Sequence, residues 1–299
     1  MAPRLIMPLP GNERLADSVA KAGSWEIGRV EVHLFPDQES NVRLASDVRG
    51  RPVYLLCSLD RPDAKFLRLM FAADTARELG ATEVNLVAPY LAYMRQDRRF
   101  REGEAITSKT FARLLSTGID RLICVDPHLH RYRSLSALYP LPTQIVHAAD
   151  ALAAWIAANV RRPLIVGPDE ESTQWVSAVA ALARAPYAVS KKHRRGDRDV
   201  EVILPDLSQF RDRRPVLVDD IASSGRTLVE SALGLRRQKL PRPVCVLVHA
   251  VFAAGAWEKL AELAERIVST DTIFHPTNEI SVGSALAEAL SSTLAERHE

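Results

Sequence analysis

The sequence has few cysteines and no excess of either charge. Only three of its 299 residues are cysteine, and Cys57, Cys124 and Cys245 each lie within an apolar run, without a partner at metal-ligand spacing. We therefore expect buried, reduced thiols, as in a cytoplasmic protein. The 39 Lys and Arg against 37 Asp and Glu give a net charge of +2, which argues against a broad basic surface for nucleic acid.

Long apolar runs are also missing. No segment approaches the roughly 20 uninterrupted apolar residues of a membrane-spanning helix, and Pro8 and Pro10 interrupt the short apolar run at the N-terminus. We expect neither a signal peptide nor a transmembrane segment, and hence no membrane partner. Apolar residues are nevertheless abundant, at 47%, and the length is enough for two domains with buried cores.

Short β-branched runs alternate with helical patterns, which is typical of βαβ units and a mostly parallel sheet. Strands are predicted at 5–7, 31–35, 53–57, 83–88 and 122–125, and then at 164–166, 187–189, 201–204, 216–218, 244–248 and 267–269. Helices are predicted at 64–79, 149–159 and 285–297, the last able to pack on either domain. We expect an α/β protein with domains at 1–146 and 147–299, each a mostly parallel sheet flanked by helices.

An acid pair and a run of small residues follow one predicted strand. Backbone N–H groups and hydroxyls of Ser223, Ser224 and Gly225 can surround a phosphate, and the helix predicted next directs its positive dipole end at the same point. Asp219 and Asp220 can meet sugar hydroxyls or a hydrated magnesium ion. A helix N-cap alone would explain the serines but not the acids. The pattern favours a sugar-phosphate site.

Two charged segments, 94–109 and 191–199, lack apolar periodicity, and by themselves would be interpreted as solvated loops. In the first, Arg95 and Gln96 can donate to a triphosphate.

Two further candidates lie at predicted strand ends. His128 stands beside Asp126, and Asp169 ends another strand. Either side chain could contact magnesium or one of its waters. Because hard cations prefer oxygen ligands, chemistry alone makes a metal role for His128 the less favoured interpretation.

The acid pair with its small-residue run resembles the phosphoribosyl diphosphate loop of type I phosphoribosyltransferase folds, in which two acids and two variable residues precede a Ser/Asp-Thr-Gly-Gly-Thr-like run. The resemblance implies a fold of that type in each domain. It also implies that ribose 5-phosphate is bound by Asp219, Asp220, Ser223, Ser224, Gly225, Arg226 and Thr227, together with Arg194.

Other segments, in the same order along the chain, resemble the ribose-phosphate diphosphokinases. Residues 35–39 are similar to that family's Phe-Pro-Asp-Gly-Glu adenine loop, and residues 93–98 to its Tyr-x-Arg-Gln-Asp-Arg segment. Similar matches occur at 104–109, 125–128, 167–170 and 269–273. This resemblance implies that ATP is bound by Phe35, Asp37, Gln38, Glu39, Arg95 and Gln96. It implies that Mg²⁺ is bound by His128 and Asp169.

In that family a mobile loop carries a catalytic Lys-x-Arg pair, and Lys192 and Arg194 have that spacing. A register beginning at Lys191 would lose the arginine and is less favoured. The resemblance implies transfer of a diphosphate from magnesium ATP to carbon 1 of ribose 5-phosphate. It also implies a homo-oligomer in which the adenine loop is contributed across a subunit interface.

The chain departs from the family pattern at several positions. Gln38 replaces a glycine, Phe100 an acid and Arg226 a small residue, while residues 170–172 replace a Gly-rich turn. Nucleotide preference and the response to phosphate or ADP therefore cannot be carried over. Two alternatives remain. A non-catalytic regulatory relative would be expected to lose the charged groups retained here, and an ordinary phosphoribosyltransferase would need only one such domain and no ATP loop.

Overall fold

The computed structural model describes residues 4–194 and 200–295. The chain divides into two compact units, the first comprising Met1–His147, Thr272–Phe274 and Val282–Glu299, and the second Ala148–Asp271 and His275–Ser281. The segment from Val282 onward, which we had placed in the second domain, thus groups with the first unit.

The first unit contains a six-stranded sheet and a separate hairpin. Its strands are β1 (Leu5–Pro8), β2 (Glu26–Ile27), β3 (Val30–Leu34), β4 (Ser40–Leu44), β5 (Pro52–Leu56), β6 (Glu83–Ala88), β7 (Arg121–Val125) and β8 (Thr143–Val146). Its helices include α1 (Glu13–Gly23), α2 (Pro62–Glu78) and α3 (Thr107–Leu115). The sheet has the order β2-β1-β5-β6-β7-β8, with every pair parallel, whereas β3 and β4 form an antiparallel hairpin.

Burial of both sheet faces explains the apolar runs. Leu5, Ile6 and Met7 of β1 are fully buried, as are the residues of β5 from Val53 to Leu56. A parallel sheet is covered on both faces, so its strands are continuously apolar rather than alternating. Pro62 occupies the start of α2, where its missing N–H removes no helical hydrogen bond.

The second unit repeats this plan. It contains α4 (Ala149–Asn159), β9 (Pro163–Gly167), α5 (Thr173–Leu182), β10 (Tyr187–Val189), β11 (Lys191–Arg194), β12 (Val200–Ile203), β13 (Arg214–Ala222), α6 (Arg226–Arg237), β14 (Val244–Ala250), α7 (Ala256–Leu263), β15 (Arg266–Thr270) and β16 (Asn278–Ile280). Its six-stranded sheet has the order β10-β9-β13-β14-β15-β16, again parallel throughout, and β11 and β12 form an antiparallel hairpin.

The two units have the same topology. With the hairpins set aside, each sheet has its second strand at one edge, then its first, then the third to the sixth in order. In each unit the hairpin follows the second sheet strand. The expected fold class, two mostly parallel sheets flanked by helices, is confirmed, and the hairpins β3–β4 and β11–β12 occupy equivalent places in the two units.

The C-terminal helix α8 (Gly283–Ala295) packs against α1 and β8. Arg4 donates a hydrogen bond to the Ser291 hydroxyl, 2.9 Å away. Among the described helices, none combines the length and apolar character that crossing a bilayer requires.

The cysteines are free and buried, as expected. Burial raises the pKa of Cys57 and of Cys245 to about 12. Neither thiol is therefore a thiolate at neutral pH, which is typical of core residues rather than nucleophiles.

Candidate active site

Strand β13 is longer than the sequence pattern indicated, and it includes the acid pair. We predicted the strand to end at Val218, but its pairing with β14 continues to Ala222, opposite Ala250. Asp219 lies opposite Leu247 within this ladder. The acid pair, Asp219 and Asp220, is therefore fixed by backbone hydrogen bonds on the strand itself. Both residues are only partly buried.

The small-residue turn, Ser223 to Gly225, joins β13 to α6. The Ser223 carbonyl accepts from the N–H of Ala253 at 3.0 Å, which holds the turn against the next strand connection. Gly225, the N-cap residue, has a left-handed backbone with φ +68°, a conformation that glycine adopts without steric cost. The first N–H groups of α6 have no carbonyl partner inside the helix, so they and the helix dipole favour an anion at this point.

The side chains around this turn are available to a ligand. The hydroxyls of Ser223, Ser224 and Thr227 form no hydrogen bond with the residues that the structure describes. Arg226 is exposed and makes no ion pair within the described part of the chain. Thus the turn combines hydroxyls, backbone donors and one positive charge.

Three carboxylates gather beside this turn. Burial, with Asp220 and then Asp169 adding to it, holds the pKa of Asp219 well above its ordinary value. Asp169 lies just beyond β9, where one carboxylate oxygen accepts from the Ser172 N–H at 3.1 Å. We call Asp169, Asp219 and Asp220 the carboxylate cluster.

The carboxylate cluster fits a hydrated divalent cation. Burial, together with the negative charges of Asp220 and Asp169, raises the pKa of Asp219, and a bound magnesium ion would offset part of that negative charge. Within the described ranges, no three His, Cys, Asp or Glu side chains form a ready ligand set. Magnesium does not need one, because it keeps several waters and is usually bound through one or two carboxylates and substrate phosphates.

The predicted catalytic pair lies on a hairpin. The charged segment 191–199 was expected to be a loop, and this is corrected in part, since Lys191–Arg194 is strand β11. The rest of that segment, 195–199, lies outside the described residues, as do the side chains of Lys192 and Arg194. Lys192 pairs with Val202, whereas Lys191 pairs with Ile203.

Neighbouring positions on this hairpin belong to different faces. Val202 is 3% exposed and Ile203 is 44% exposed. Positions paired across antiparallel strands share a face, so position 191 lies on the open face with Ile203. Positions 192 and 194 share a face because the strand period is two.

In the first unit, residues 35–39 connect β3 to β4. Phe35 donates its N–H to the Glu39 carbonyl, and Gln38 donates to the Phe35 carbonyl, each at 2.9 Å. Gln38 has φ +75°, so it keeps the left-handed conformation that suits glycine at this position. One oxygen of Asp37 accepts from the Glu39 N–H at 3.1 Å. Phe35 stands 43% exposed at the tip.

Residues 93–106 form a second loop, between β6 and α3, with Arg95 and Gln96 both exposed. Tyr93, in a left-handed conformation with φ +63°, donates its phenol hydrogen to Asp63. This acceptor and burial raise the pKa of Tyr93 to about 12. The Gln96 N–H donates to the Tyr93 carbonyl at 3.0 Å. We refer to residues 93–106 as the connecting loop.

His128 follows β7 and is half-buried. Its ring lies 3.8 Å, centroid to centroid, from that of His130. Asp126 has φ +33°, and its carboxylate is 2.8 Å from Nδ1 of His147. His128 belongs to the first unit and Asp169 to the second.

Sequence reasoning missed the residues that hold the connecting loop. Arg131 contacts the carboxylate of Asp97, and Tyr132 contacts the hydroxyl of Ser108. In the sequence, only the closeness of Arg131 to His128 could have suggested that Arg131 has a role at the site. The partners are 34 and 24 residues away in sequence, and such pairings depend on tertiary structure.

Two parallel sheets of one topology, each with a hairpin after its second strand, define a phosphoribosyltransferase-type α/β protein, and the acid pair followed by a small-residue turn agrees with that class. A family model described as the N-terminal domain of ribose phosphate pyrophosphokinase matches residues 5–118, and a phosphoribosyl transferase domain model matches residues 137–285.

Full-length relatives make the assignment more specific. The ribose-phosphate pyrophosphokinase of Methanopyrus kandleri is 33% identical over 289 residues, covering 96% of this chain and 98% of the relative. That of Halobacterium salinarum is 32% identical over 288 residues, covering 96% and 100%. A crystal structure of phosphoribosylpyrophosphate synthetase from Mycobacterium smegmatis, at 23% identity, matches the fold with a TM-score of 0.83 over 98% of this chain and 99% of that one. The chain belongs to the ribose-phosphate pyrophosphokinase family.

Proposed function

We propose that the protein transfers the β,γ-diphosphate of ATP to the 1-hydroxyl of ribose 5-phosphate, giving AMP and 5-phosphoribosyl 1-diphosphate. Relatives named for this activity match nearly the whole chain. The observation within the molecule that carries the proposal is the carboxylate cluster beside a helix start with available hydroxyls. That combination suits a sugar phosphate bound together with a metal ion.

Ribose 5-phosphate binds at the small-residue turn. Its phosphate accepts from the first N–H groups of α6 and from the hydroxyls of Ser223, Ser224 and Thr227. Arg226 adds a charged donor, which strengthens those hydrogen bonds. The acid pair then receives the ribose hydroxyls, directly or through the metal.

ATP binds through the first unit. The ring of Phe35 contacts adenine, and Asp37 and Glu39 accept from the adenine amino group. Gln38 holds the left-handed turn between them. The connecting loop supplies Arg95 and Gln96 as cationic and amide donors to the triphosphate.

His128 and Asp169 are the residues that would contact Mg²⁺, each directly or through water. When bound, it offsets the negative charge of the phosphate oxygens and of the carboxylate cluster. His128 is the weaker ligand on chemical grounds. The family resemblance is what supports including it.

The reaction is a displacement at the β-phosphorus. The 1-hydroxyl oxygen of ribose 5-phosphate forms a bond to that phosphorus, the bond from the β-phosphorus to the α–β bridging oxygen breaks, and AMP departs with the oxygen and the electron pair. The hydroxyl proton passes to solvent. Lys192 and Arg194 stabilise the charge that builds on the transferring group, and the family's Lys-x-Arg spacing supports this pair over one beginning at Lys191.

Product analysis tests this proposal. The pure protein with magnesium, ATP and ribose 5-phosphate should release AMP and 5-phosphoribosyl 1-diphosphate in equal amounts. Asp219→Asn should lose most of this activity while remaining folded. ADP as the main nucleotide product would refute diphosphoryl transfer, and no turnover by correctly folded protein would favour the non-catalytic regulatory alternative.

We also infer a homo-oligomer of at least two subunits, in which the adenine loop is contributed across a subunit interface. The exposed Phe35 at the tip of the β3–β4 hairpin supports this inference. Light scattering at assay concentrations should give at least twice the mass of one chain. A fully active monomer would contradict shared sites.

A further inference from the structure

An ion pair between a half-exposed arginine, Arg131, and a buried carboxylate, Asp97, ties the connecting loop to the segment after β7. One guanidinium nitrogen of Arg131, Nη1, lies 2.8 and 2.9 Å from the two carboxylate oxygens of Asp97. The side chain of Asp97 is only 2% exposed. A carboxylate so enclosed is costly unless it is paired. Asp97 directly follows Gln96, so the pair fixes the loop beside its proposed triphosphate donors.

A second contact fixes the other end of the same loop. The hydroxyls of Tyr132 and Ser108 are 3.0 Å apart. Ser108 is 1% exposed, and its N–H donates to the Gln96 carbonyl at 3.2 Å. Neighbouring residues 131 and 132 thus hold both ends of the loop.

Inside these attachments the connecting loop is closed on itself. The Glu104 carboxylate accepts from the N–H groups of Phe100 and Arg101, each at 3.0 Å. Arg99 donates to the Glu104 carbonyl at 2.8 Å. The loop is therefore a preformed unit, and its position depends on where its ends are attached.

We propose that Arg131 and Tyr132 are positioning residues that fasten the triphosphate-binding loop to the strand end bearing His128. This rests on the proposed function. The two residues follow His128 by three and four positions, so one short segment carries both a metal-binding candidate and the attachment of the nucleotide loop. Binding of magnesium ATP requires both sets of groups in one arrangement, and preorganisation of this kind raises affinity by lowering the cost of ordering.

The test measures binding of the magnesium complex of α,β-methylene ATP, which cannot undergo the transfer, by calorimetry, alongside binding of ribose 5-phosphate. Arg131→Met should weaken analogue binding about tenfold, equivalent to about 1.4 kcal/mol, and leave ribose 5-phosphate binding unchanged. Arg131→Lys should be intermediate, because an ammonium keeps the charge but is more strongly hydrated and so pairs less well with an enclosed carboxylate. Tyr132→Phe should cause a smaller loss, since it removes only the hydroxyl contact.

Arg133→Met is the matched control, because Arg133 is exposed on the same segment and makes no ion pair with the described residues. It should leave both affinities unchanged. If Arg131→Met binds the analogue as tightly as Arg133→Met does, the proposal is wrong. Equal weakening of both ligands would also overturn it, because it would indicate general loss of structure.

A double variant separates positioning from stability. Arg131→Met alone leaves Asp97 charged and unpaired, so its melting temperature should fall. Adding Asp97→Asn removes that charge and should restore the melting temperature, while analogue binding stays weak. Recovery of both the melting temperature and analogue binding would show that Arg131 only neutralises Asp97.

If wild-type protein releases AMP but the Arg131 variants bind the analogue normally, this inference fails while the proposed function stands. If the wild type does not bind the analogue, both proposals fail.

Discussion

At the scale of single residues, the sharpest functional claim concerns Lys192 and Arg194. Removing a preorganised donor that acts chiefly in the transition state costs on the order of 10²-fold in maximal rate. Lys192→Ala and Arg194→Ala should each lower kcat by about that factor and leave KM for ATP nearly unchanged, and Lys192→Ala should also leave KM for ribose 5-phosphate nearly unchanged. Steady-state kinetics checks this.

Lys191→Ala is the control for that pair. Position 191 pairs with exposed Ile203, so this change should have a mild effect. A larger loss from Lys191→Ala than from Lys192→Ala would mean that the catalytic pair has been assigned in the wrong register. Equal and small losses of kcat in Lys191→Ala, Lys192→Ala and Arg194→Ala would mean that the hairpin has no catalytic role.

Asp219 should make stability depend on pH. Its folded-state pKa is raised from 3.8, so the folded state binds the proton more tightly than the unfolded chain does. The favourable contribution of Asp219 to the free energy of unfolding is complete below the pKa of the unfolded state and is lost as pH rises through the pKa of the folded state. Asp219→Asn should therefore become more stable than wild type as pH rises above about 4, by about 1.4 kcal/mol for each unit of pKa shift.

Urea unfolding across that pH range, without metal, measures this effect. Asp206 is a control of opposite sign, because hydrogen bonds from Ser208 lower the pKa of its carboxyl group. Asp206→Asn should become relatively less stable as pH rises. Added magnesium should reduce the difference in unfolding free energy between wild type and Asp219→Asn. If the difference in unfolding free energy between wild type and Asp219→Asn depends on neither pH nor magnesium, the pKa of Asp219 is not raised as described.

At the scale of elements, the turn between β13 and α6 depends on one glycine. A side chain at φ +68° costs roughly 1–2 kcal/mol, and relief of that strain would displace the N–H groups proposed to bind phosphate. Gly225→Ala should lower stability by about that amount and raise KM for ribose 5-phosphate, with KM for ATP little changed. Thermal melting and kinetics together check both effects.

Gly255 offers a close control. It caps α7 with φ +76°, and an added Cβ there would meet nothing within 4 Å. Gly255→Ala should lose similar stability without affecting KM for ribose 5-phosphate. If both variants raise that KM equally, the Gly225 effect is only structural.

Element by element, the sequence predicts what burial determines. Strands β5 and β6, buried after their first residues, have strong apolar signals, and α4 and β10 have their predicted bounds. The two-residue strand β2 is exposed and gives no such signal. Strand β11 was missed because its residues are charged, and hairpin pairing rather than burial makes it a strand. The continuation of β13 through its acids depends on its ladder with β14, which no local pattern shows.

For the site, composition and spacing predict residue types that suit phosphate and metal, but not what holds them. The acid pair and the small-residue turn have local signatures because one strand–turn–helix carries them. The attachment of the connecting loop through Arg131 and Asp97 has none. It joins residues 34 positions apart, and it exists only after the sheet has formed.

At the scale of the whole molecule, one topology serves two purposes. The hairpin β3–β4 carries the loop proposed to bind adenine, and its equivalent in the second unit, β11–β12, carries the proposed catalytic pair. In both cases the hairpin follows the second strand of the sheet and is separate from it, so its residues can differ without disturbing the buried parallel sheet. This separation accounts for two different ligand roles on a repeated scaffold.

The central claim is diphosphoryl transfer with cleavage between the α–β bridging oxygen and the β-phosphorus, and isotope labelling tests it most directly. ATP carrying ¹⁸O at that bridging position is incubated with the protein, magnesium and ribose 5-phosphate, and ³¹P NMR locates the label in the products. The account predicts all of the label in AMP, with unlabelled 5-phosphoribosyl 1-diphosphate formed in equal amount. Label in the diphosphate product, or ADP in place of AMP, would contradict it.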